Sequence, residues 1–476
     1  MQGSIAAADG EAAICRLPAR VHLVGIAGSG MRSLAEVLLG WGCRVSGSDV
    51  DVAAAAPLVE AGARIHQGHA AEHLPPDADL VVSSDAVSPD APELRRAGEL
   101  GIPAQSYFQT LGQLMADRQG LAVAGTHGKS TVTAMVAQLL VDAGLDPTVV
   151  CGAVPIGCRS GGRPGRSRLM LAEACEYRAN FLHLRPRHAV ILGIEPDHFD
   201  CYRSTGELEA AFARFARGVP GEGLLLARHD CPATRRVTAG LPCRVETFGP
   251  DAEADWSARP LGCEGGCYTF SLLRHGRPLC RVRLRVPGRH NLLNATAAAA
   301  LAWHQGVEPG AVAAGLSAFA GLRRRLERLA TWRGMARLDD YAHHPTEVSA
   351  ALEAVRRMYP GRRLWCVFQP HQVSRTEHLL DELAQSLQNA DKVLVADIFR
   401  AREPGPKRGE VTAANLAERA RALGAPAIHL PGRHRLVQAL RTHLEPGDVL
   451  ITMGAGDIGR IQDELAQGFG EDRQAG

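Results

Sequence analysis

The chain of 476 residues is long enough for about three domains, each with its own core. Hydrophobic residues make up 46% and charged residues 22%, as in ordinary soluble proteins, and a net charge of +2 gives no electrostatic reason to expect binding to nucleic acid or to a membrane. No apolar run approaches the roughly 18 residues of a membrane span, no signal peptide is recognisable, and twelve cysteines in so long a chain suggest the reducing cytoplasm rather than a disulfide framework.

The first predicted element is a strand that ends in a glycine-rich turn and continues as a helix, from Val21 to Met31. The turn, Gly25-Ile-Ala-Gly-Ser-Gly30, is a variant of the dinucleotide-binding spacing G-x-G-x-x-G. Asp49 follows about 20 residues later, after a second predicted strand, where such folds place a carboxylate that binds ribose. The pattern predicts a site for a diphosphate beside a nucleoside, and a purely structural turn remains the alternative.

The second strand–turn–helix unit contains Gly125-Thr-His-Gly-Lys-Ser-Thr131. Backbone N–H groups at a glycine turn that opens a helix bind phosphate oxygens, a lysine neutralises phosphate charge, and a following hydroxyl can bind Mg²⁺. The full phosphate-loop pattern is not met, because position 123 is valine. Lysine occurs elsewhere only at Lys392 and Lys407, so a chain that otherwise uses arginine has kept an ammonium at Lys129. We predict a phosphate site here.

Two later strands end beside residues that suit a metal ion. The predicted strand from Arg168 to Ala172 is followed by Glu173, and the predicted strand from His188 to Leu192 is followed by Glu195-Pro-Asp-His-Phe-Asp200. A carboxylate beyond a strand suits Mg²⁺, whereas a histidine such as His198 is a less usual ligand for so hard an ion. Either a metal ligand or a histidine in a surface turn is consistent with His198.

The remaining segments are predicted from shorter patterns. A helix is predicted near Thr110–Ala116, and the polar residues from Gly468 to Gly476 are expected to be frayed. Residues 241–288 are predicted to form short antiparallel strands, because apolar and polar residues alternate in them. A third strand–turn–helix unit runs from Val449 to Ile458. Four further segments carry polar residues that have both structural and functional interpretations: His290-Asn-Leu-Leu-Asn294, Gly321 to Glu327, Asp339 to Glu347, and Phe368 to Thr376.

In this order, the segments resemble the Mur ligases, a family of ATP-dependent amide-forming enzymes that build cell-wall precursors, and the resemblance extends from His22 to about Ile461. Its specific segments are the turn that contains Lys129, Asp339 to Glu347, and the run Phe-Gln-Pro-His…Ser-Arg-Thr that ends at Thr376. That run favours the branch that joins L-alanine to UDP-N-acetylmuramate over the related ligase that recycles murein tripeptide.

The resemblance implies an α/β fold with three domains. After a loose extension at 1–18, these are a Rossmann-like UDP-substrate domain at 19–108, a central P-loop ATPase-type domain with a small antiparallel sheet at 109–320, and a Rossmann-like C-terminal amino-acid-binding domain at 321–476. The expected cofactors are ATP and Mg²⁺, and the expected substrates are UDP-N-acetylmuramate and L-alanine. No nucleic acid or membrane insertion is expected, and a monomer and a homodimer both remain open.

The resemblance also implies roles for single residues. The ATP-binding residues would be Gly125, Thr126, His127, Gly128, Lys129, Ser130, Thr131, His290, Asn291, Asn294, Arg325 and Asp340. The UDP substrate would be bound by Gly25, Gly28, Ser29, Gly30, Met31 and Asp49. The amino acid would be bound by Tyr341, His343, His344 and Arg375, and the metal by Ser130, Glu173 and His198. The catalytic residues would be Lys129, Glu173, His198, Arg325 and His344, with His198 and His344 as alternative acceptors of the amine proton.

The chain departs from the family pattern at several positions. Members often have Glu-Ala-Asp-Glu-Ser-Asp where this chain has Glu173-Ala-Cys-Glu-Tyr-Arg178, Gln372 replaces an arginine, and Leu326 replaces a phenylalanine. These changes affect the amino-acid and muramoyl ends and leave the phosphate turn intact. The absence of lysine between 130 and 391 excludes the carbamylated lysine of other Mur ligases.

Two other classes of function explain only part of the sequence. A nicotinamide oxidoreductase accounts for the first turn but leaves Lys129 and the segment from Asp339 to Glu347 unexplained. A P-loop nucleotide switch accounts for the second turn but leaves the first nucleotide-type domain unexplained. We therefore expect ligation of L-alanine, with the tripeptide-recycling ligase as the alternative within the family.

Overall fold

The computed structural model describes residues 18–467 except 404 and 406. The N-terminal extension predicted to be loose lies, apart from residue 18, outside the described residues, as does the C-terminal end from 468 that was expected to be frayed. No helix in the described part of the chain is both long and apolar enough to span a membrane. Three separate β-sheets organise the described residues.

The first sheet is parallel throughout and is covered by helices. Its strands are β1 (Arg20–Val24), β2 (Arg44–Asp49), β3 (Arg64–Gln67), β4 (Leu80–Ser83) and β5 (Ala104–Ser106). Its helices are α1 (Ser29–Gly40), α2 (Ala56–Glu60) and α3 (Pro92–Leu100), with short 3-10 turns at Ala53–Ala55 and Ala71–His73. The strand order is β3-β2-β1-β4-β5, which brings Val21 of β1 between Val45 and Leu80. This is the doubly wound arrangement predicted for the first unit.

The connection to the second sheet is α4 (Tyr107–Ala116), which begins earlier than the helix predicted near Thr110. The hydroxyl of Ser106 accepts a hydrogen bond from the backbone N–H of Gln109, and the Gln109 side chain accepts one from the backbone N–H of Ser106. This reciprocal capping box stabilises the helix from its first turn. Serine and glutamine three residues apart were the sequence signal for the earlier start.

The second sheet has ten strands and is mixed. Its strands are β6 (Gln119–Ala124), β7 (Thr148–Val150), β8 (Gly162–Arg163), β9 (Leu169–Glu173), β10 (His188–Ile191), β11 (Leu224–Arg228), β12 (Arg244–Gly249), β13 (Trp256–Glu264), β14 (Cys267–Arg274) and β15 (Arg277–Pro287). Its helices are α5 (Lys129–Asp142), α6 (Thr205–Arg217), α7 (Pro232–Thr238), α8 (His290–Trp303) and α9 (Pro309–Ala318), with a 3-10 segment at Tyr177–His183. The order is β15-β14-β13-β12-β11-β10-β6-β9-β7-β8.

The prediction of antiparallel strands over residues 241–288 is confirmed for β13, β14 and β15 and is wrong for β12. The first three pair antiparallel, whereas β12 pairs parallel with both β11 and β13. The reason is that α7 carries the chain back across the sheet before β12, so that β12 runs in the same direction as β11. Alternation of side chains alone does not distinguish the two kinds of pairing.

The third sheet is parallel except at one edge. Its strands are β16 (Glu327–Trp332), β17 (Met335–Asp340), β18 (Leu364–Phe368), β19 (Lys392–Val395), β20 (Ala427–His429) and β21 (Val449–Met453). Its helices are α10 (Pro345–Met358), α11 (Val373–His378), α12 (Leu380–Ser386), α13 (Ala413–Ala422), α14 (Arg433–His443) and α15 (Arg460–Gln467), with a 3-10 turn at Leu387–Asn389. The order is β16-β17-β21-β18-β19-β20, and only β16 runs antiparallel to its neighbour. The predicted α/β fold class is therefore confirmed.

The central strand β6 is buried on both faces. Leu121 and Val123 enter the hydrophobic core formed with α5 and α8, whereas Ala122 and Ala124 enter the core shared with α4 and α6. Successive side chains of a strand point to opposite faces, so this alternation separates larger from smaller side chains. Both faces of β6 are packed in a hydrophobic core, and this packing holds the turn that follows β6 in place.

Helix α4 approaches the 3-10 segment so closely that only glycine fits at Gly112. A Cβ at this position would lie 2.0 Å from the backbone oxygen of His183. We predict that Gly112→Ala lowers the free energy of unfolding by about 1–3 kcal/mol, because backbone on both sides would have to move. Urea unfolding followed by circular dichroism would measure the change.

The matched control for this prediction is Gly98→Ala in α3, where a Cβ would meet nothing within 4 Å. Alanine at an unobstructed helical position is expected to stabilise by about 0.5–1 kcal/mol relative to glycine. Equal effects of the two substitutions would contradict the close approach of α4 to His183.

Candidate active site

The turn after β6 depends on two glycines. Gly125 has a φ of +130° and Gly128 a φ of +82°. A Cβ at Gly125 would lie 2.9 Å from the backbone nitrogen of Leu192, and one at Gly128 would lie 2.6 Å from Oδ1 of Asn294. Helix α5 begins directly after Gly128, and no side chain caps it. Its first N–H groups are therefore left for a ligand, which is the arrangement that binds phosphate oxygens.

Lys129, the first residue of α5, is balanced by a buried carboxylate. Its ammonium donates hydrogen bonds to the carbonyl oxygens of Gly125 at 2.5 Å and Thr126 at 3.0 Å, and to Oε1 of Glu176 at 2.9 Å. Burial by itself lowers the pKa of Lys129, but the charge of Glu176 outweighs it, and the pKa is raised. The lysine therefore remains a cation in a turn from which water is largely excluded.

His198 reaches the same carboxylate from the adjoining loop. Its Nε2 lies 3.3 Å from Oε1 of Glu176. His198 has a φ of +56°, which is uncommon for residues other than glycine. Its backbone N–H donates to Oδ1 of Asp197 at 2.7 Å. Glu176 thus joins Lys129 and His198, although it was not among the predicted site residues. The available signal was its place just beyond the end of β9, three residues after Glu173.

Ser130 and Glu173 form the part of the predicted metal site that the structure brings into contact. The Ser130 hydroxyl donates to Oε2 of Glu173 at 3.0 Å. Oε1 of Glu173 accepts hydrogen bonds from the N–H of Gly152 at 2.5 Å and from the thiol of Cys151 at 3.0 Å. A hydroxyl and an anchored carboxylate at a helix N-terminus are oxygen ligands that fit Mg²⁺. His198 pairs with Glu176 rather than with Glu173.

A pocket opens between the second and third sheets, beside the turn that holds Lys129. Many of the residues predicted to bind ATP line it: His127, Gly128, Thr131, His290, Asn291, Asn294, Arg325 and Asp340. Apolar side chains form much of the rest of its wall: Leu192, Phe248, Val286, Phe319 and Leu322. The predicted residues therefore converge on one concave surface, although they come from the two halves of the chain.

The polar groups at the far end of this pocket are neutral. Burial lowers the pKa of His290 to about 4, and its buried Nδ1 has no hydrogen-bond partner among the described residues. The amide of Asn291 donates to the carbonyl of Pro287 at 2.7 Å, and that of Asn294 donates to Oδ1 of Asn291 at 2.9 Å. An apolar pocket with a few fixed neutral donors and acceptors is suited to a heterocyclic base.

The third sheet contributes a cation and a carboxylate to the pocket. Nη1 of Arg325 lies 3.6 Å from Oε1 of Glu347, and its guanidinium lies 5.1 Å from the ring centre of Tyr341. The two oxygens of Asp340 accept hydrogen bonds from the N–H groups of Leu326 at 2.6 Å and Ala342 at 2.7 Å. Burial raises the pKa of Asp340 to about 6. Arg325 thus lines the pocket beside Glu347, and Asp340 is firmly held in the wall. The role of Arg325 toward phosphate groups stays a prediction.

His127 connects the turn to the third sheet. Its Nδ1 lies 3.2 Å from Oε1 of Glu347, and its Nε2 lies 3.4 Å from Oε2 of Glu195. Burial alone lowers the pKa of His127, but these two carboxylates raise it to about 9. His344 lies alongside, with a ring centre 4.6 Å from that of His127, and its Nε2 lies 3.2 Å from the carbonyl oxygen of Pro196.

Arg375, predicted to bind the amino acid, already has a carboxylate partner. Its Nε donates to Oδ1 of Asp197 at 2.8 Å, and both side chains are almost fully buried. Its Nη1 lies 2.9 Å from Nδ1 of His371 and 3.1 Å from the His371 carbonyl oxygen. The assignment of Arg375 to the carboxylate of alanine stays a prediction, and what the structure shows is an ion pair between the second and third sheets.

The other residues predicted at the amino-acid end form a connected row. The ring centres of Tyr341 and His343 are 5.4 Å apart, and those of His343 and His371 are 5.7 Å apart. His371 was missed by the sequence analysis, although it lies within the run from Phe368 that carried the resemblance. The row ends at Arg375, and His344 lies apart from it beside His127.

The first glycine turn is stabilised by the carboxylate that was predicted to bind ribose. Oδ2 of Asp49 accepts a hydrogen bond from the N–H of Ala27 at 2.9 Å. Gly25 has a φ of +83°, and a Cβ at Gly30 would lie 2.8 Å from the hydroxyl of Tyr107. Gly28 precedes α1 without a side-chain cap, Ser29 begins the helix, and Met31 is buried in the core. The N–H groups from Gly25 to Gly28 are bonded within the protein, so that only the first N–H groups of α1 are left for an anion. The nucleoside role of Asp49 stays a prediction.

Helix α1 also brings the first turn close to the second one. The hydroxyl of Ser33 donates to the carbonyl oxygen of Cys151 at 2.7 Å, and Cys151 in turn contacts Glu173. A Cβ at Gly162 in β8 would lie 2.2 Å from the backbone oxygen of Ser33. The two glycine turns are therefore connected through a tightly packed helix–strand contact.

Comparisons with known proteins agree with this arrangement. Three family models match the chain: a catalytic domain of the Mur ligase family over residues 20–119, a Mur ligase middle domain over residues 123–302, and a Mur ligase glutamate ligase domain over residues 324–456. A protein of Salinibacter ruber named UDP-N-acetylmuramate--L-alanine ligase is 40% identical over 451 residues, which are 94% of each chain.

Two solved structures are similar over nearly the whole chain. A UDP-N-acetylmuramate-alanine ligase from Thermotoga maritima superposes with a TM-score of 0.79 at 25% identity, covering 94% of this chain and 98% of its own. A murein peptide ligase from Psychrobacter arcticus superposes with a TM-score of 0.73 at 27% identity, covering 95% and 99%. The fold is thus shared with both kinds of ligase.

The ion pair between Asp197 and Arg375 yields a prediction about stability. Arg375→Met is expected to lower the free energy of unfolding by about 3–5 kcal/mol, because it leaves the charge of Asp197 buried without a partner. Asp197→Asn in the same chain is expected to restore part of the loss. Urea unfolding of the three proteins would measure both effects.

The control for this prediction is Arg419→Met. Arg419 forms the same kind of pair with Asp381, at 2.6 Å, but the two side chains are 41% and 65% exposed. An exposed pair is worth at most about 1 kcal/mol. A loss at Arg375 no larger than the loss at Arg419 would show that the buried pair does not hold the two sheets together.

Proposed function

The chain belongs to the Mur ligase family, and on this premise we propose that it uses ATP to join L-alanine to the carboxylate of UDP-N-acetylmuramate. The names of relatives about 40% identical over nearly the entire chain support this substrate pair. The observation on the molecule itself that carries the proposal is the turn of Lys129, which opens into a pocket with an apolar wall and neutral groups suited to a base.

In the first step, an oxygen of the muramoyl carboxylate attacks the γ-phosphorus of ATP. The bond from the γ-phosphorus to the β-phosphate oxygen breaks, which gives an acyl phosphate and ADP. Lys129 and Arg325 neutralise the negative charge on the transferred group, and this is the main contribution that a protein makes to phosphoryl transfer. With ATP bound, phosphate oxygens replace Glu176 and the loop carbonyls as hydrogen-bond acceptors for Lys129.

In the second step, the amine of L-alanine attacks the acyl carbon. The C–N bond forms, the bond from the carbon to the phosphate oxygen breaks, and inorganic phosphate leaves. A neutral histidine must take the proton of the amine. Burial lowers the pKa of His344, so that its ring is available as a base, and His198 beside Glu176 is the second candidate.

We propose that Ser130 and Glu173 hold Mg²⁺, with His198 completing the set. The hydroxyl and carboxylate oxygens in contact at the start of α5 support this assignment. When bound, Mg²⁺ would neutralise negative charge on the phosphates of ATP. Arg375 orients His371 and Asp197 at the amino-acid end, as the bonds of its guanidinium indicate.

The proposed substrate pair is tested by phosphate release with ATP, Mg²⁺ and UDP-N-acetylmuramate against a panel of amino acids and murein tripeptide. We expect release that requires both UDP-N-acetylmuramate and an amino acid, with L-alanine giving the highest kcat/KM. Faster release with the tripeptide would assign the chain to the recycling ligases. Phosphate release that needs no amino acid would favour a nucleotide switch. In a separate assay, oxidation of a nicotinamide cofactor, followed by its absorbance, would favour an oxidoreductase.

The role of Lys129 is tested by Lys129→Ala and Lys129→Arg. We predict that neither protein ligates, because a planar guanidinium does not fit where a compact ammonium donates to Gly125, Thr126 and Glu176 at once. Lys392→Arg is the matched control, since Lys392 is an exposed residue at the start of β19. Turnover in Lys129→Arg close to that of Lys392→Arg would remove the basis of this account.

A further inference from the structure

Three side chains beside the phosphate turn point their ligand atoms at one another. Nε2 of His127 lies 3.4 Å from Oε2 of Glu195, Nδ1 of His344 lies 3.8 Å from the same oxygen, and all three ligand atoms lie within 4.8 Å of one another. Nε2 of His127 is buried and makes no hydrogen bond with the described residues. Two ligands about 2.0 Å from a tetrahedral ion are about 3.3 Å apart, so small side-chain shifts would close this group around a metal.

The opposite nitrogen of each histidine is held by an oxygen. Nδ1 of His127 lies 3.2 Å from the carboxylate of Glu347, and Nε2 of His344 lies 3.2 Å from the carbonyl of Pro196. Histidines that bind metals almost always have their second nitrogen held in this way by a carboxylate or a carbonyl, which fixes the ring and selects the nitrogen that faces the metal. The nitrogens directed at Glu195 are Nε2 of His127 and Nδ1 of His344. Nδ1 of His344 also accepts a long hydrogen bond from the N–H of Thr346 at 3.4 Å, which a bound ion would replace.

Glu195 is also held in place. Its Oε2 accepts a hydrogen bond from the hydroxyl of Thr346 at 2.6 Å. Its backbone is fixed to the phosphate turn, because the N–H of Glu195 donates to the Thr126 hydroxyl at 2.9 Å and that hydroxyl donates to the Glu195 carbonyl at 3.2 Å. The group therefore has two imidazoles, one carboxylate and a complete set of supporting hydrogen bonds.

We propose that His127, Glu195 and His344 form a binding site for a first-row transition ion of the Zn²⁺ class, distinct from the Mg²⁺ site at Ser130 and Glu173. Two imidazole nitrogens and one carboxylate are the ligand set that Zn²⁺ takes in many proteins, with a fourth position open, whereas Mg²⁺ prefers oxygen ligands. The site goes beyond the proposed ligation and does not depend on it.

Such an ion would join the second sheet to the third. His127 lies in the turn after β6, Glu195 lies in the loop after β10, and His344 is the residue that precedes α10. Binding therefore requires the two sheets to be close together, and an ion bound there would hold them closed. An ion that holds the two sheets closed is expected to inhibit any reaction that requires them to separate.

The site is tested on the full-length protein in excess Mg²⁺, with Co²⁺ and Zn²⁺ as the probes. Co²⁺ is followed by its visible ligand-field absorption, which distinguishes nitrogen and oxygen ligands from thiolates, and Zn²⁺ is followed by calorimetry. We expect one ion of either kind to bind, without a thiolate charge-transfer band. His127→Ala, His344→Ala and Glu195→Gln should each weaken binding by at least about tenfold.

Two control variants keep the outcome unambiguous. His275→Ala removes an exposed histidine that pairs with Asp255 at 3.2 Å, and His198→Ala removes the histidine assigned to the Mg²⁺ site. Both should bind the probe as the wild type does. His344→Ala also removes the cap of α10 and could therefore destabilise the fold. Glu195→Gln is the variant least expected to disturb folding, because the Glu195 side chain is 34% exposed.

Three results would overturn the proposal. The first is the absence of Co²⁺ or Zn²⁺ binding in excess Mg²⁺. The second is binding that the three ligand variants leave unchanged. The third is loss of binding in His198→Ala together with retention in His344→Ala, which would place the ion at the Mg²⁺ site instead.

Discussion

The charge of Lys129 needs a partner in a turn from which water is largely excluded, and the structure around it is arranged to supply one. The strand order β10-β6-β9 places the loops after these three strands side by side, so that Glu176 and His198 flank the ammonium. A parallel sheet buried on both faces holds those three loops in place. In the proposed function, phosphate replaces Glu176 as the counter-charge of Lys129.

Pairing of charged and polar side chains also joins the second sheet to the third. The contacts between them near the site are polar or charged: Asp197 with Arg375, His127 with Glu347, and Glu195 with Thr346. The contacts of His127 and Glu195 are partly exposed and exchange with water and ligands more readily than an apolar interface does, whereas the buried pair of Asp197 and Arg375 resists separation. Arg325 and Asp340 line a pocket whose other wall belongs to the second sheet.

Local patterns in the sequence predicted the parts of the fold and site that depend on local geometry. The glycine turns at Gly25 and Gly128 could be found because positive φ and close backbone approach leave glycine no substitute. The direction of β12 and the partners of Asp49 and Arg375 could not be predicted from the sequence, because each depends on tertiary packing. Asp197 is 178 residues from Arg375, and no spacing rule connects them. For Glu176, the place just beyond β9 was a signal, but its pairing with Lys129 depends on how the loops after β6 and β9 lie together.

The central claim is that the carboxylate of UDP-N-acetylmuramate is activated by phosphoryl transfer at the turn of Lys129. The most direct test uses UDP-N-acetylmuramate whose carboxylate oxygens are ¹⁸O, with unlabelled ATP and L-alanine, and measures the released phosphate by mass spectrometry. The account predicts that each phosphate carries one ¹⁸O atom, because the oxygen that attacked phosphorus leaves with it when the amide forms. Phosphate that carries no ¹⁸O would contradict the account, since it would mean that the phosphoryl group never bonded to the carboxylate.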